Sequence, residues 1–347
     1  MNRPADIPSL AGWRAIAAIL VVLGHAKLIF GGFAYLAVTI FFFLSGYLIT
    51  TLMISEVART GTVGIQKFFV RRFLRLTPPF FVTLAVVYAL TYAGWVSGGT
   101  QPMGLASLLF YFHNYYLFFA PDNSIPLGVG VYWSLAIEQH FYLVFPALFL
   151  VFYRQGKPRK LQWILAGLCA LALVWRLVLT LGCHAEFARI YYATDTRLDS
   201  ILFGCLLALW RMPPRHGLSG KEKCFGNPWF LSGLVAMGAA GLLRAPVFRQ
   251  TLQFTIQGLA LMPLFHFSIR SPGSLVFRAL NHPWMGRIGD LSYTIYLIHC
   301  VVLFNIEKLT SNRPIGLIVS MAIIGLYAWL MEIWVEKPLK ALRERWR

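Results

Sequence analysis

Stretches of about twenty apolar residues, the length an α-helix needs to cross the hydrocarbon core of a bilayer, recur along this chain. They fall near 11–30, 34–54, 78–97, 134–153, 161–181, 195–211, 228–244, 251–269, 288–308 and 314–334 of 347 residues. Composition agrees: 58% of residues are hydrophobic and 13% charged, roughly half the charged fraction of a soluble domain. The sequence predicts an all-α, polytopic membrane helix bundle of about ten transmembrane helices, forming a single membrane-embedded domain over 1–347. The aromatic-rich 103–120 stretch, with its His113-Asn114 pair, reads as an interfacial or re-entrant segment.

A net charge of +18 invites a nucleic-acid reading until the charges are placed. The 55–77 connection carries Arg59, Lys67, Arg71, Arg72 and Arg75, and the 154–160 connection Arg154, Lys157, Arg159 and Lys160. Arg211, Arg215, Lys221 and Lys223 lie in 211–227, Arg270, Arg278 and Arg287 in 270–287, and Lys337, Lys340, Arg343, Arg345 and Arg347 in the tail. The 98–130 connection has no Lys or Arg. The positive-inside rule then puts both termini in the cytoplasm, and anionic headgroups account for the basic surplus without nucleic acid. The first apolar window does not read as a cleavable signal, since another span follows it rather than a mature domain. Five scattered cysteines read as small buried hydrophobes, and without a CxxC or HExxH motif no metal site is expected.

Ionisable groups inside apolar windows are costly and usually face a bundle interior or a wet cavity. Here they are Arg14, His25, Glu138, His140, Arg176, Arg197, Asp199 and His299. Arg14 and His25 are eleven positions apart, which in a helix returns to nearly the same azimuth about 16 Å further on. They share a stripe without touching. A neutral imidazole suits general-base work on a hydroxyl, and a helix-packing histidine is the alternative. Lys67, Arg71 and Arg75 recur at i, i+4, i+8, which fits an interfacial amphipathic helix and is compatible with a phosphate site, because guanidinium groups bind phosphates bidentately. Glu138 needs a partner, and His140, two positions on, points away from it. Asp195 and Asp199 share a helical face while Arg197 points elsewhere; Ser292, Tyr296 and His299 share another.

In this order, six stretches resemble the acyltransferase 3 family of integral membrane acyltransferases. They are Arg14 to His25, FFFLSGYLI at 41–49, RRFLRLTPP at 71–79, YWSLAIEQHFYL at 132–143, DTRLDSILFG at 195–204 and LSYTIYLIH at 291–299. The resemblance implies transfer of an acyl group, commonly acetyl, from cytoplasmic acyl-CoA to a hydroxyl of a carbohydrate or other envelope molecule, at a bacterial inner membrane. It makes His25 the catalytic base, Arg14 its partner and Glu138 the acidic member of the catalytic set. Arg71, Arg72 and Arg75 become the site for the donor's phosphates. Trp133, Ser134, Arg197, Asp199, Tyr296 and His299 become the substrate-binding set. The reaction so implied needs no metal. One departure is IEQHFY at 137–142, where the family often has consecutive acids. The resemblance is to a stand-alone form without an extracytoplasmic hydrolase-like domain. The alternative class is a transporter or flippase, whose matched halves and broken helices are not evident.

Overall fold

The computed structural model describes residues 8–29, 31–120, 124–153, 156–210, 224 and 226–346. Arg154, Arg211, Arg215, Lys221, Lys223 and Arg347 of the charge pattern lie outside the described residues. Among those described, regular structure is helical, with one isolated bridge between Gly98 and Pro126. The long helices are α1 (Pro8–His25), α2 (Gly31–Thr60), α3 (Ile65–Tyr92), α4 (Trp133–Tyr153), α5 (Pro158–Leu177), α6 (Thr194–Trp210), α7 (Pro228–Leu242), α8 (Gln253–Arg270), α9 (Pro283–Leu309) and α10 (Arg313–Met331), followed by a short α11 (Lys337–Glu344).

Each apolar window carries one of these helices. Six helical runs among the described residues are long and apolar enough to cross a membrane: Phe33–Thr60, Ile65–Tyr92, Val129–Tyr153, Pro158–Gly182, Pro283–Leu309 and Arg313–Glu344. The other windows fall on α1, α6, α7 and α8, of 18, 17, 15 and 18 residues. At 1.5 Å per residue these rise only about 22–27 Å. Punctuation accounts for the shortest: Asn227 caps α7 by accepting from the Trp229 N–H, and Pro228 occupies its first turn. α6 and α8 are buried around most of their circumference, as helices inside a core are.

The 55–77 stretch, expected as a connection, is almost wholly helical. α2 runs on to Thr60 and α3 starts at Ile65, leaving a short turn over 61–64 in which Gly61 has φ +78°. That conformation suits glycine. Pro78 and Pro79 lie inside α3, as is tolerated where surrounding protein re-satisfies the freed carbonyls. Arg71, Arg72 and Arg75 therefore ride the first turns of a membrane-length helix, not a separate interfacial one.

The helices pack as two compact units. One comprises the chain through Gly24, Ile29–Thr62 and Ile137–Asp290. In it α2 lies against α6 at a separation only glycine allows. A Cβ on Gly204 would sit 2.0 Å from the Phe43 carbonyl oxygen, and one on Gly46 2.0 Å from that of Ile201. Small residues facing each other are how membrane helices gain close packing. The fully buried Arg176 of α5 pairs with Asp199 of α6 at 2.7 Å and donates to the carbonyls of Thr251 and Thr196 and to the Thr255 hydroxyl. Arg197, also fully buried, stacks 3.7 Å from the Phe254 ring centroid and donates to the Thr39 hydroxyl at 3.3 Å.

The second unit comprises His25–Leu28, Val63–Ala136 and Leu291–Arg347. Tyr293 donates to the Leu76 carbonyl at 2.8 Å, Tyr327 to the Thr83 hydroxyl at 2.9 Å, and Arg313 to the carbonyls of Ala26 and Lys27. α11 packs on α3, and Arg71 donates to the Trp346 carbonyl at 3.1 Å. The 103–120 stretch forms two short helices, Pro102–Leu109 and His113–Tyr116, neither of spanning length. His113 is buried, its Nδ1 2.9 Å from the Ser107 hydroxyl, and burial pulls its imidazole down to about 4. None of the five cysteines forms a disulfide; all but Cys183 are buried.

Arg176→Met strands a buried carboxylate and should cost about 3–5 kcal/mol, read as a fall in the detergent unfolding midpoint. Arg176→Met combined with Asp199→Leu should recover part of it. For His113 the folded state holds the neutral form, so stability should fall as pH drops from about 6.5 towards about 4, because the unfolded chain takes up the proton first. His113→Gln should flatten that part of the stability profile.

Candidate functional site

The face that Ser292, Tyr296 and His299 share on α9 is fully or almost fully buried. What covers part of it is the segment leading into α4. Gly128, at φ +98°, lets this segment lie directly on α9: a Cβ there would sit 2.4 Å from the Val301 nitrogen. Tyr132 donates to the Leu297 carbonyl and Tyr296 to the Val131 carbonyl, both at 2.6 Å. Since the Tyr296 proton is committed to a carbonyl, the 2.6 Å contact with Ser134 has the serine donating to the tyrosine oxygen. Ser134 and Tyr296 thus form one buried chain, and Trp133 is buried at the start of α4.

His25 ends α1 and meets this structure through His299. Its Nδ1 lies 3.2 Å from His299 Nε2, with ring centroids 5.0 Å apart and Phe304 edge-on at 6.0 Å. His299 Nδ1 faces the Tyr296 carbonyl at 2.6 Å, and Cys300 Sγ lies 3.2 Å from His299 Nε2. His299 and Cys300 are fully buried, whereas His25 is half-buried. Among the described residues, His25, His299 and Cys300 also form the one group of side chains close enough to share a metal ion, their ligand atoms all lying within 4.8 Å of one another.

α1 stays helical from Pro8 through His25, so Arg14 and His25 keep their eleven-residue helical offset, and both are half-buried. Glu138 accepts from Tyr142 at 3.2 Å, and Tyr142 pairs with Ser45. His140 faces Thr194 at 2.8 Å instead. Arg197 and Asp199 sit in the buried core described above. Arg71, Arg72 and Arg75 are half-buried on α3, with Arg72 5.9 Å from the Phe68 ring centroid. Of the residues singled out in the sequence, His25, Arg71, Arg72, Arg75, Trp133, Ser134, Tyr296 and His299 belong to one unit. Arg14, Glu138, Arg197 and Asp199 belong to the other.

Two participants went unnoticed in the sequence, and a third was noticed without its partner. Cys300 read as a small hydrophobe, although it follows His299 directly. Gly128 had no visible signal beyond its place in a glycine-containing connection. Arg176 stood out as a cation in an apolar window, but nothing local named Asp199 as its partner.

The sequence profile of the acyltransferase domain family matches residues 7–331. A peptidoglycan O-acetyltransferase, OatA, of Listeria monocytogenes is 30% identical over 96% of this chain and 56% of its own length. The O-acetyltransferase OatA of Staphylococcus aureus is 28% identical over 98% and 58%. A putative O-acetyltransferase of the same species is 29% identical over 96% and 57%. The chain therefore spans less than two thirds of the length of these curated relatives. No solved structure matches it significantly. With the family profile spanning all six stretches of the resemblance, the chain belongs to the acyltransferase 3 family.

Proposed function

We propose that this integral membrane protein transfers an acyl group, in the first instance acetyl, from acyl-CoA to a hydroxyl of a cell-envelope polysaccharide. The observation that carries this reading is the His25–His299 contact: a half-buried imidazole held against a buried one inside an apolar bundle. That arrangement suits a base that must take a proton from a weakly acidic hydroxyl. The relatives' names supply the reaction class and, for the Listeria protein, peptidoglycan as the acceptor.

In the reaction so read, the acceptor oxygen attacks the thioester carbonyl, a C–O bond forms and the C–S bond breaks. His25 removes the hydroxyl proton and returns it to the departing thiolate, so the products are the O-acyl ester and free CoA thiol. The family resemblance also assigns catalytic roles to Arg14, on the same helix as His25, and to Glu138. Arg71, Arg72 and Arg75 would hold the donor's phosphates. Support for this comes from α11, which carries Lys337, Lys340 and Arg343 against one acid, Glu344, and packs against the helix bearing these arginines; Lys337 lies 3.8 Å from Glu332, and the balance of charge on α11 is positive. Ser134 and Tyr296 would orient the acceptor. Within the same reading all ten apolar helices span the membrane, and both termini, with the basic start of α3, face the cytoplasm where the donor is found.

Purified wild-type protein should transfer label from acetyl-CoA to a glycan acceptor, which a transporter would not do. His25→Gln should lower kcat about 10²–10⁴-fold without loss of membrane insertion; wild-type turnover in that variant would remove His25 from the chemistry. Arg71→Gln with Arg75→Gln should raise the donor KM at least ~10-fold, since a charge-assisted hydrogen bond contributes about 1.5–3 kcal/mol, and leave the acceptor KM nearly unchanged.

A further inference from the structure

His299 was singled out as a substrate-binding residue, yet its ring is fully buried and both nitrogens face protein atoms. The two contacts are chemically unequal. A carbonyl oxygen only accepts, so the 2.6 Å approach of His299 Nδ1 to the Tyr296 carbonyl requires the proton on Nδ1. In a neutral imidazole that leaves Nε2 with the lone pair. The atom facing this lone pair at 3.2 Å is His25 Nδ1, which must then be the donor. The Cys300 thiol, also 3.2 Å away, is a weak donor and fits the same assignment.

We infer that His299 is a positioning residue that holds His25 in the Nδ1–H tautomer, with the Tyr296 carbonyl, the His299 ring and the His25 ring forming one directed hydrogen-bond chain. His25 Nε2 then carries the basic lone pair. The direction of the chain is fixed at its far end by a backbone carbonyl, which a helix supplies without any titrating side chain. The burial pattern assigns the roles: the half-buried ring is the one a substrate can reach, and the buried ring only orients it. When His25 takes the acceptor proton on Nε2, its Nδ1–H bond to His299 becomes charge-assisted and stronger. His299 thereby does for His25 what the buried carboxylate does in a Ser-His-Asp triad, without placing a negative charge in the membrane interior. The 3.2 Å spacings are hydrogen-bond distances, so this chain accounts for the three-residue cluster without an ion.

The kinetic part of this inference rests on the acyl-transfer reading above; the tautomer does not. Nitrogen-15 NMR of histidine-labelled protein in detergent or lipid should show His25 protonated at Nδ1 and bare at Nε2 near neutral pH. A proton on His25 Nε2 would overturn the proposal whether or not the protein turns over. A wild-type protein with that tautomer but no transfer would sink the functional reading alone. His299→Phe keeps an aromatic ring but loses the acceptor, and should lower kcat about 10²–10⁴-fold while donor and acceptor KM stay within about threefold. His299→Gln places an amide oxygen near the position of Nε2 and should restore kcat to within about tenfold of wild type. Wild-type kcat in His299→Phe, or a well-folded His299→Gln as inactive as His299→Phe, would refute a positioning role. Stoichiometric zinc in the purified wild-type protein, with activity lost on its removal, would likewise refute it, because both nitrogens would then be ligands. Should His299→Phe fail to fold, the wild-type nitrogen shifts and the glutamine variant still decide.

Discussion

A polar group placed in an apolar interior must find its partner in the protein, and in this chain that requirement organises both packing and chemistry. Arg176 shows the structural side. Its guanidinium reaches Asp199, two backbone carbonyls and a threonine hydroxyl, so three helices and the turn before α8 are tied to one side chain. Such a pair adds little over an apolar replacement, but losing one partner leaves the other stranded. The arrangement therefore fixes which helices meet more than it adds net stability.

Close approach is the second condition. α2 and α6 touch through Gly46 and Gly204, which brings Phe42 and Thr39 within reach of Arg197. Gly128 does the equivalent in the other unit. Because it has no Cβ and adopts a positive φ, the segment before α4 can lie on α9 and exchange hydrogen bonds with Tyr296 and Leu297. The backbone that receives the His299 Nδ1 proton is thus itself held from both sides. Site geometry here depends on glycines that make no chemical contact with a substrate.

The helical windows were legible because each is a local property: a run of apolar side chains predicts a helix wherever it sits in the chain. Legible too was the shared azimuth of Arg14 and His25, which follows from the helical repeat alone. The basic 66–79 stretch was read correctly for periodicity and misplaced as a connection, since its charges obscured the helical continuity that begins at Ile65, after the turn that Gly61 and Gly64 bracket. The paired glycines were not legible, because glycine in a membrane helix is common and only the facing helix shows which one is in contact.

The sequence by itself determined that this is a helical membrane protein and, through the ordered stretches from Arg14 to His299, which family it belongs to. It also marked which polar residues are out of place in an apolar setting. Only the tertiary structure decided what those residues do for one another. It paired Arg176 with Asp199 across two helices and brought His25 to His299, 274 positions away. Helical periodicity fixes direction around one axis and is silent about the next helix. Pairing depends on how the helices pack, which no single stretch of sequence contains.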